Sequence, residues 1–393
     1  SDDDWIEAHL SLEGPRGELV PLQLGPLDGA RVAMQVDGTG AERWQLVLSG
    51  RGWAKVLTDT TVSTWQRLSN AGSGTGSIFS PAEASELSAR LAAVVESGER
   101  ISDLLAGLLR RLLRDQWALP ASLASGFGPG TTLAEVMWPE GQPAVSTGGA
   151  SEVDGVVWRG LSMIGGVRGT LWQLLTGFQN DPALVELWPS WVTTVDTPPR
   201  LRPTLIYRQR PFDAVAWAKL RSLPLSLDRV VSLDLGEGGF ERFNVALVSP
   251  SIAGSDFESA VLATGSSDLP FVSTEERRGI LRHGTRGWFL ADSQSPPDVN
   301  PLEQASRLTR WLVEAYLDTP DLLNGSIGVV GEALPPIVVG NRLRLRDADG
   351  KDLLEFYAEG LDTRFDVGGR GERTLRQTLS VTRGRSVESR GEG

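Results

Sequence analysis

Apolar residues at alternate positions open the chain. WIEAHLSLEG, GELVPLQLG, ARVAMQVDG and ERWQLVLSG each show part of the period of a half-buried strand, and Gly-containing turns separate them. Residues 5 to 67 are therefore expected to be β, with a further apolar run from Arg51 to Gln66 ending at Trp65. The stretch NAGSGTGSI at 70–78 breaks that pattern and reads as a flexible linker. Beyond it the period becomes helical. Ser80-Pro81-Ala82-Glu83 forms a capping box with Pro at the first helical position, and Leu87, Leu91, Val94 and Val95 follow at helical spacing. A second helix is expected from Arg100 to Trp117, with Ile101, Leu104, Leu105, Leu108, Leu109 and Leu112 on one face. Arg110, Arg111 and Arg114 sit near its C-terminal end, where the helix dipole favours cations.

Residues 121 to 200 are rich in Gly, Pro and Trp, with helices expected over Gly169 to Phe178 and Pro182 to Trp188. Strand patterns return in PTLIYRQRP, RVVSLDLGEG and ERFNVALVSP. Helical signals resume at Glu275 to Arg282 and Pro301 to Leu317. Residues 325 to 384 then give strands with hairpin turns at Asp349-Gly350 and Gly368-Gly369. The terminal SVESRGEG reads as disordered. The fold class implied is α+β, mainly β. The divisions fall at 1–69 (β), 70–199 (helical and mixed), 200–250 (β), 251–320 (helical), 321–385 (β) and 386–393 (tail). The 251–320 block splits the second β region.

Composition narrows the function. At 393 residues, 40% apolar and 22% charged, the chain has the make-up of globular protein with room for several domains. No window approaches the length of a membrane-spanning helix, so stable membrane insertion is not expected. The acidic opening SDDDWIEAHL is not a signal peptide. Cysteine is absent, which removes disulfides and thiolate metal sites. The net charge of −12 opposes a groove that grips phosphates, but suits a surface along which DNA slides without sticking. There are 13 Trp against 3 Tyr. They are spread from Trp5 to Trp311 rather than clustered as a sugar-stacking platform, so core and subunit contacts are their expected places.

Candidate chemistry is sparse. Gly72-Ser73-Gly74-Thr75-Gly76 lacks the spacing of a dinucleotide loop and the Gly-Lys-Ser/Thr of a P-loop, and reads as linker. Asp347, Asp349, Gly350, Asp352 and Glu355 resemble a calcium loop in composition. Their flanks NRLRLR and LLEFYAE alternate like strands, which favours a hairpin turn. His9 and His283 have no second ligand at metal spacing, and no G-x-S-x-G elbow accompanies a Ser/His/Asp set. The carboxylates single out no pair for glycoside hydrolysis. No catalytic, cofactor-binding or metal-ligating residue is assigned, and the expectation is a non-enzyme without cofactor. One segment stands out. Pro203 and Pro211 bracket an apolar run, and Arg208 and Arg210 share a face at period 2. It reads either as an edge strand with solvated arginines or as a strand at a partner interface, where Arg is enriched.

Three blocks in order, SGRGWAKVLTDTTV (Ser49 to Val62), LRPTLIYRQRPFD (Leu201 to Asp213) and Leu322 to Arg385, resemble the central baseplate hub proteins of bacteriophage tails. Related contractile injection machines and gene transfer agents carry similar proteins. The matching pieces begin with Gly50 to Thr60, Arg202 to Phe212, Val231 to Leu235 with Asn244-Val245, and Ile280 to Arg286. They continue with Asn324-Gly325-Ser326-Ile327, Gly340-Asn341-Arg342-Leu343, Glu355 to Gly360 and Thr382-Arg383-Gly384. The resemblance implies two tube-type β-barrel domains with helical insertions. Three subunits would form a pseudo-sixfold ring that adapts a sixfold tail tube to a threefold spike or tip. Implied partners are further copies of the chain, a tail tube protein, a spike or tail-tip protein, and a wedge or tape-measure protein near the Trp-rich 117–191 region. DNA passes only in transit, and the location is the virion tail or baseplate, assembled in host cytoplasm. Spike and lysis segments are not seen, so those activities are expected on other chains. Tyr207, Arg208, Arg210, Phe212, Phe356 and Tyr357 are the candidate interface residues. The rival from another class is a Trp-rich carbohydrate-binding or glycoside-processing protein.

Overall fold

Arg342-Leu343-Arg344-Leu345-Arg346 shows how this chain builds its structure. Strict alternation puts the leucines on one face and the arginines on the other, and the segment is a strand with Leu343 and Leu345 fully buried. The computed structural model describes residues 5–10, 20–36, 39–40, 42–50, 52–63, 101–114, 131–139, 144–146, 168–177, 185–193, 201–237, 245–249, 287–291, 311–312, 315–316, 323–330, 334, 338–367 and 373–387. Among them the fold is mainly β with few, mostly short helices.

Strands β1 (Trp5–Leu10), β2 (Val20–Val36) and β3 (Glu42–Gly50) form an antiparallel sheet in that order. The sequence suggested a turn inside β2, yet Gly25-Pro26 and Gly29 lie within one long strand. The strand pairs with β1 up to Pro26 and with β3 from Leu27, and the β3 register shifts between Leu27 and Gly29. A bulge thus replaces the expected turn. Asp28 within it meets the Lys55 ammonium at 2.6 Å. A second departure follows. Residues expected to extend the β run form helix α1 (Lys55–Asp59), which buries Val56 and Leu57, and only then β4 (Thr61–Ser63).

Helix α2 (Ile101–Arg114) occupies the expected place and buries Leu105, Leu109 and Leu113, one every fourth residue. Helix α3 (Leu133–Met137) starts at a Thr132–Glu135 capping box, and β5 (Val145–Ser146) follows. Strand β6 (Arg168–Thr170) pairs with β4 and leads into helix α4 (Leu171–Thr176), capped by Thr170 and Gln173. The helix expected over Pro182 to Trp188 is instead strand β7 (Val185–Thr193). Pairing along its whole length with Leu201–Gln209 supplies the reason, and Pro189 sits inside the strand. Proline cannot extend a helix, but an edge strand tolerates it, and β7 is an edge of the sheet β5-β8-β7. Strand β8 (Leu201–Gln209) is central, antiparallel to β7 and parallel to β5.

Helix α5 (Ala214–Lys219) follows β8, its first turn capped by the Asp213 carboxylate, which accepts from the Val215 and Ala216 amides. A six-stranded sheet then assembles in the order β10-β13-β16-β15-β14-β9. Its strands are β9 (Ser222–Ser226), β10 (Val230–Glu237), β13 (Leu323–Val330), β14 (Arg342–Arg346), β15 (Asp352–Val367) and β16 (Arg373–Ser386). Strands β11 (Val245–Ser249) and β12 (Gly287–Ala291) form a separate parallel pair. The hairpin turn at Asp349-Gly350 joins β14 to β15, with Gly350 at φ 80°, so the calcium-loop reading gives way to the turn. The helices expected around Leu87 and at Glu275 to Arg282, the Gly368-Gly369 turn and the terminal tail lie outside the described residues. Of the Pro301 to Leu317 helix, only Trp311–Leu312 and Ala315–Tyr316 are described, and they are helical.

The six-stranded sheet separates two cores. Leu225, Ile327, Val329, Leu343, Leu345, Phe356, Ala358, Leu379 and Val381 pack together with Leu334 and Val338. Phe212, Trp217, Leu220, Ala315 and Tyr357 form the second cluster. Full burial of each large apolar side chain contributes roughly 1.5–3 kcal/mol.

Candidate functional site

The blocks that carry the resemblance meet where the β7–β8 pair rests on the six-stranded sheet. From the first block, Trp53 donates its indole N–H to the Ser190 carbonyl of β7 at 3.0 Å and stands edge-on to Trp138. Trp138 in turn donates to the Pro203 carbonyl of β8 at 2.9 Å. From the middle block comes Arg208, and from the last come Gly340 and Tyr357.

Arg208 is 1% exposed. Its Nε donates to Glu186, the residue directly opposite it on β7. Its Nη2 donates to the Gly340 carbonyl at 2.6 Å and to the Tyr357 hydroxyl at 3.0 Å. The Tyr357 hydroxyl donates to the Glu186 carboxylate, 2.7 Å from Oε2. The guanidinium also lies over the Trp188 ring, 5.0 Å from its centroid. Gly340 is required here. Its φ is 79°, and a Cβ would overlap the Trp188 ring. Burial pushes the Glu186 carboxyl above its usual range against the pull of Arg208, while burial of Arg208 is outweighed by the Glu186 charge, which holds the guanidinium protonated. These directions oppose each other for one pair. The close hydrogen-bonded geometry favours the ion pair at neutral pH, with burial setting where it is lost on acidification. Burial, then the Glu186 charge, drives Tyr357 far above an ordinary phenol.

A second polar cluster lies on the same face of β15. Arg342 donates to Glu355 at 3.0 Å and to the Leu220 and Ala218 carbonyls that end α5. Trp217 donates its indole N–H to Glu355 at 2.9 Å, and Arg344 reaches the same carboxylate at 3.3 Å. Arg385 covers the Trp217 ring at 4.3 Å. Burial opposes ionisation of Glu355, but the Trp217 hydrogen bond and the charges of Arg342 and Arg385 outweigh it and hold the carboxyl below its ordinary value.

The Thr382-Arg383-Gly384 element is a bulge. Two shifts of register bring extra β16 residues opposite Asn324 on one side and Phe356 on the other. Arg383 has φ 56°, and its amide donates to the Asn324 side chain at 3.1 Å. Its guanidinium donates to the Ala315 carbonyl and lies over the Phe212 and Tyr316 rings at 4.2 and 5.2 Å. Burial pulls its pKa down to about 10. Gly384 leaves room for the Phe356 ring.

Of the six candidate interface residues, five are buried inside the chain: Tyr207, Arg208, Phe212, Phe356 and Tyr357. Arg208 and Tyr357 are hydrogen-bonded, Phe212 stands edge-on to Tyr357 at 5.2 Å, and Phe356 faces the other core. Arg210 is partly exposed, 3.6 Å from Glu359. Sequence reasoning missed Glu186, Trp217 and Arg342. Alternation of Val185, Leu187 and Glu186 before Pro189, and the Asp213 cap before Trp217, were the available signals. Among the described residues no group of His, Cys, Asp and Glu is placed to hold a metal ion. His9 lies in β1 and His283 outside the described residues. No described helix is long and apolar enough to cross a membrane. Comparison with protein-family models and with curated proteins finds no match.

Proposed function

We propose that the chain is a structural subunit of a phage tail or related injection machine, a hub that joins copies of itself in a ring between tail tube and spike. The observation that carries this reading is unpartnered apolar surface on strands. Val32, Met34 and Val36 alternate along β2 and are 67%, 49% and 57% exposed. Val231 and Leu233 are exposed on β10, an edge of the six-stranded sheet. Such surfaces mark association sites. The acidity fits a channel that repels phosphate. The motif residues fit a scaffold, because Arg208, Tyr357 and Arg383 spend their polar groups on partners within the chain. Two tube-type barrels per subunit, three subunits per ring, and tube, spike and wedge partners are parts of the same proposal.

Carbohydrate binding has less support. Trp53, Trp138 and Trp217 are buried and Trp172, Trp188, Trp191 and Trp311 are half-buried, the pattern of packing residues rather than of an exposed stacking row. The deciding experiment is cryo-electron microscopy of the chain co-expressed with its genomic neighbours. A threefold ring coaxial with a sixfold tube is the expected result. A lone monomer that binds glycans would overturn the proposal.

A further inference from the structure

The β7–β8 face that holds Glu186 and Arg208 continues through Trp188 opposite Ile206 and Ser190 opposite Thr204, because directly opposed residues share a face. Trp188, Ser190, Thr204, Ile206 and Arg208 line a cleft of about 180 Å3 together with Gly340, Asn341 and Arg221. Two buried donors in its wall have no hydrogen-bond partner, Trp188 Nε1 and Thr204 Oγ1. Buried donors almost always find an acceptor, and one left over costs about as much as a lost hydrogen bond. Trp53, Trp138 and Trp217 each spend the same indole N–H on a definite oxygen. Arg221 is exposed at the cleft and forms no ion pair with a described residue, whereas the Arg208 charge is met by Glu186. Apolar walls, two unspent donors and one unspent cation match an acceptor that carries negative charge.

We infer that this cleft binds a small carboxylate borne on a flat apolar body. A cavity of roughly 150 Å3 accepts benzene, so a benzoate-sized group is the right scale. The occupant is a free organic acid, because no protein side chain carries a carboxylate on a flat apolar body. The inference goes beyond the assembly proposal and stands on different residues.

The test uses the full chain with nitrogen-15 in its indoles, the Trp188 resonance being assigned by its loss in Trp188→Phe. Benzoate is expected to move that resonance saturably, with a Kd of about 1 mM or tighter, and to leave the Trp53, Trp138 and Trp217 resonances in place. Arg221→Ala and Thr204→Val are each expected to weaken binding about tenfold. Benzyl alcohol, which lacks the charge, should also bind about tenfold more weakly. N-acetylglutamate amide, whose carboxylate sits on a flexible chain, should bind about tenfold more weakly than benzoate, and equal affinity would overturn the flat-body assignment. No saturable shift with benzoate up to about 10 mM would overturn the inference. So would equal affinity for benzyl alcohol, unchanged affinity in Arg221→Ala, or magnetisation transfer showing ordered water as the only acceptor of the Trp188 N–H.

Discussion

The Tyr357 hydroxyl lies 2.7 Å from Oε2 of Glu186 across 171 positions of sequence, and it ties the β7–β8 pair to the six-stranded sheet. Removing the hydroxyl takes one donor from a buried carboxylate. Tyr357→Phe should therefore destabilise the protein by about 1–3 kcal/mol in chemical denaturation. Arg208→Met should cost more, about 3–5 kcal/mol, because it strands the Glu186 charge. The double variant Arg208→Met with Glu186→Leu should recover much of that loss. Additive costs in the double variant would show that the pair is not coupled.

Acid should act in opposite senses on the two buried glutamates. Glu355 is held below its ordinary value of 4.5, so its stabilisation is complete above that pH and is lost as pH falls through the folded value. Glu186 is raised above 4.5, so the folded protein binds its proton more tightly, and its contribution improves as pH falls from the folded value toward 4.5. Relative to Glu355→Gln, the parent protein should lose stability on acidification. Relative to Glu186→Gln, it should gain. Urea midpoints measured across the acid range test both slopes, and slopes of the same sign would contradict the assignment.

Gly340 and Gly350 have nearly the same φ, 79° and 80°, but different surroundings. A Cβ at Gly350 meets open space, whereas one at Gly340 overlaps Trp188. Gly350→Ala should cost only the left-handed backbone penalty, about 1–2 kcal/mol. Gly340→Ala should cost clearly more and should perturb Trp188 fluorescence. Equal shifts in Tm for the two variants would remove the close-packing argument.

Met34→Lys and Leu233→Asp test the exposed apolar strands. Both side chains are exposed, so the fold should keep its stability within about 0.5 kcal/mol. Self-association, followed by sedimentation velocity, should fall. Association unchanged in both variants would place the subunit contacts elsewhere.

Local patterns determined much of this protein. Alternation in NRLRLR, the Asp349-Gly350 turn and the four-residue spacing of Leu105 and Leu109 follow from the periods of strand and helix, which depend only on neighbouring residues. Val185–Thr193 reads poorly because Trp, Pro and Glu suit several local structures, and its pairing with Leu201–Gln209 decides between them. The Gly25-Pro26 and Gly29 positions resemble a turn until the change of partner from β1 to β3 is known. The same limit applies to Arg208. Its sequence neighbours leave it either solvated or buried. Only Glu186, Gly340 and Tyr357, brought from distant segments, supply the charge and acceptors that a buried guanidinium requires. Burial depends on the whole packed arrangement, so the tertiary structure alone decided that Arg208 holds two sheets of one chain together.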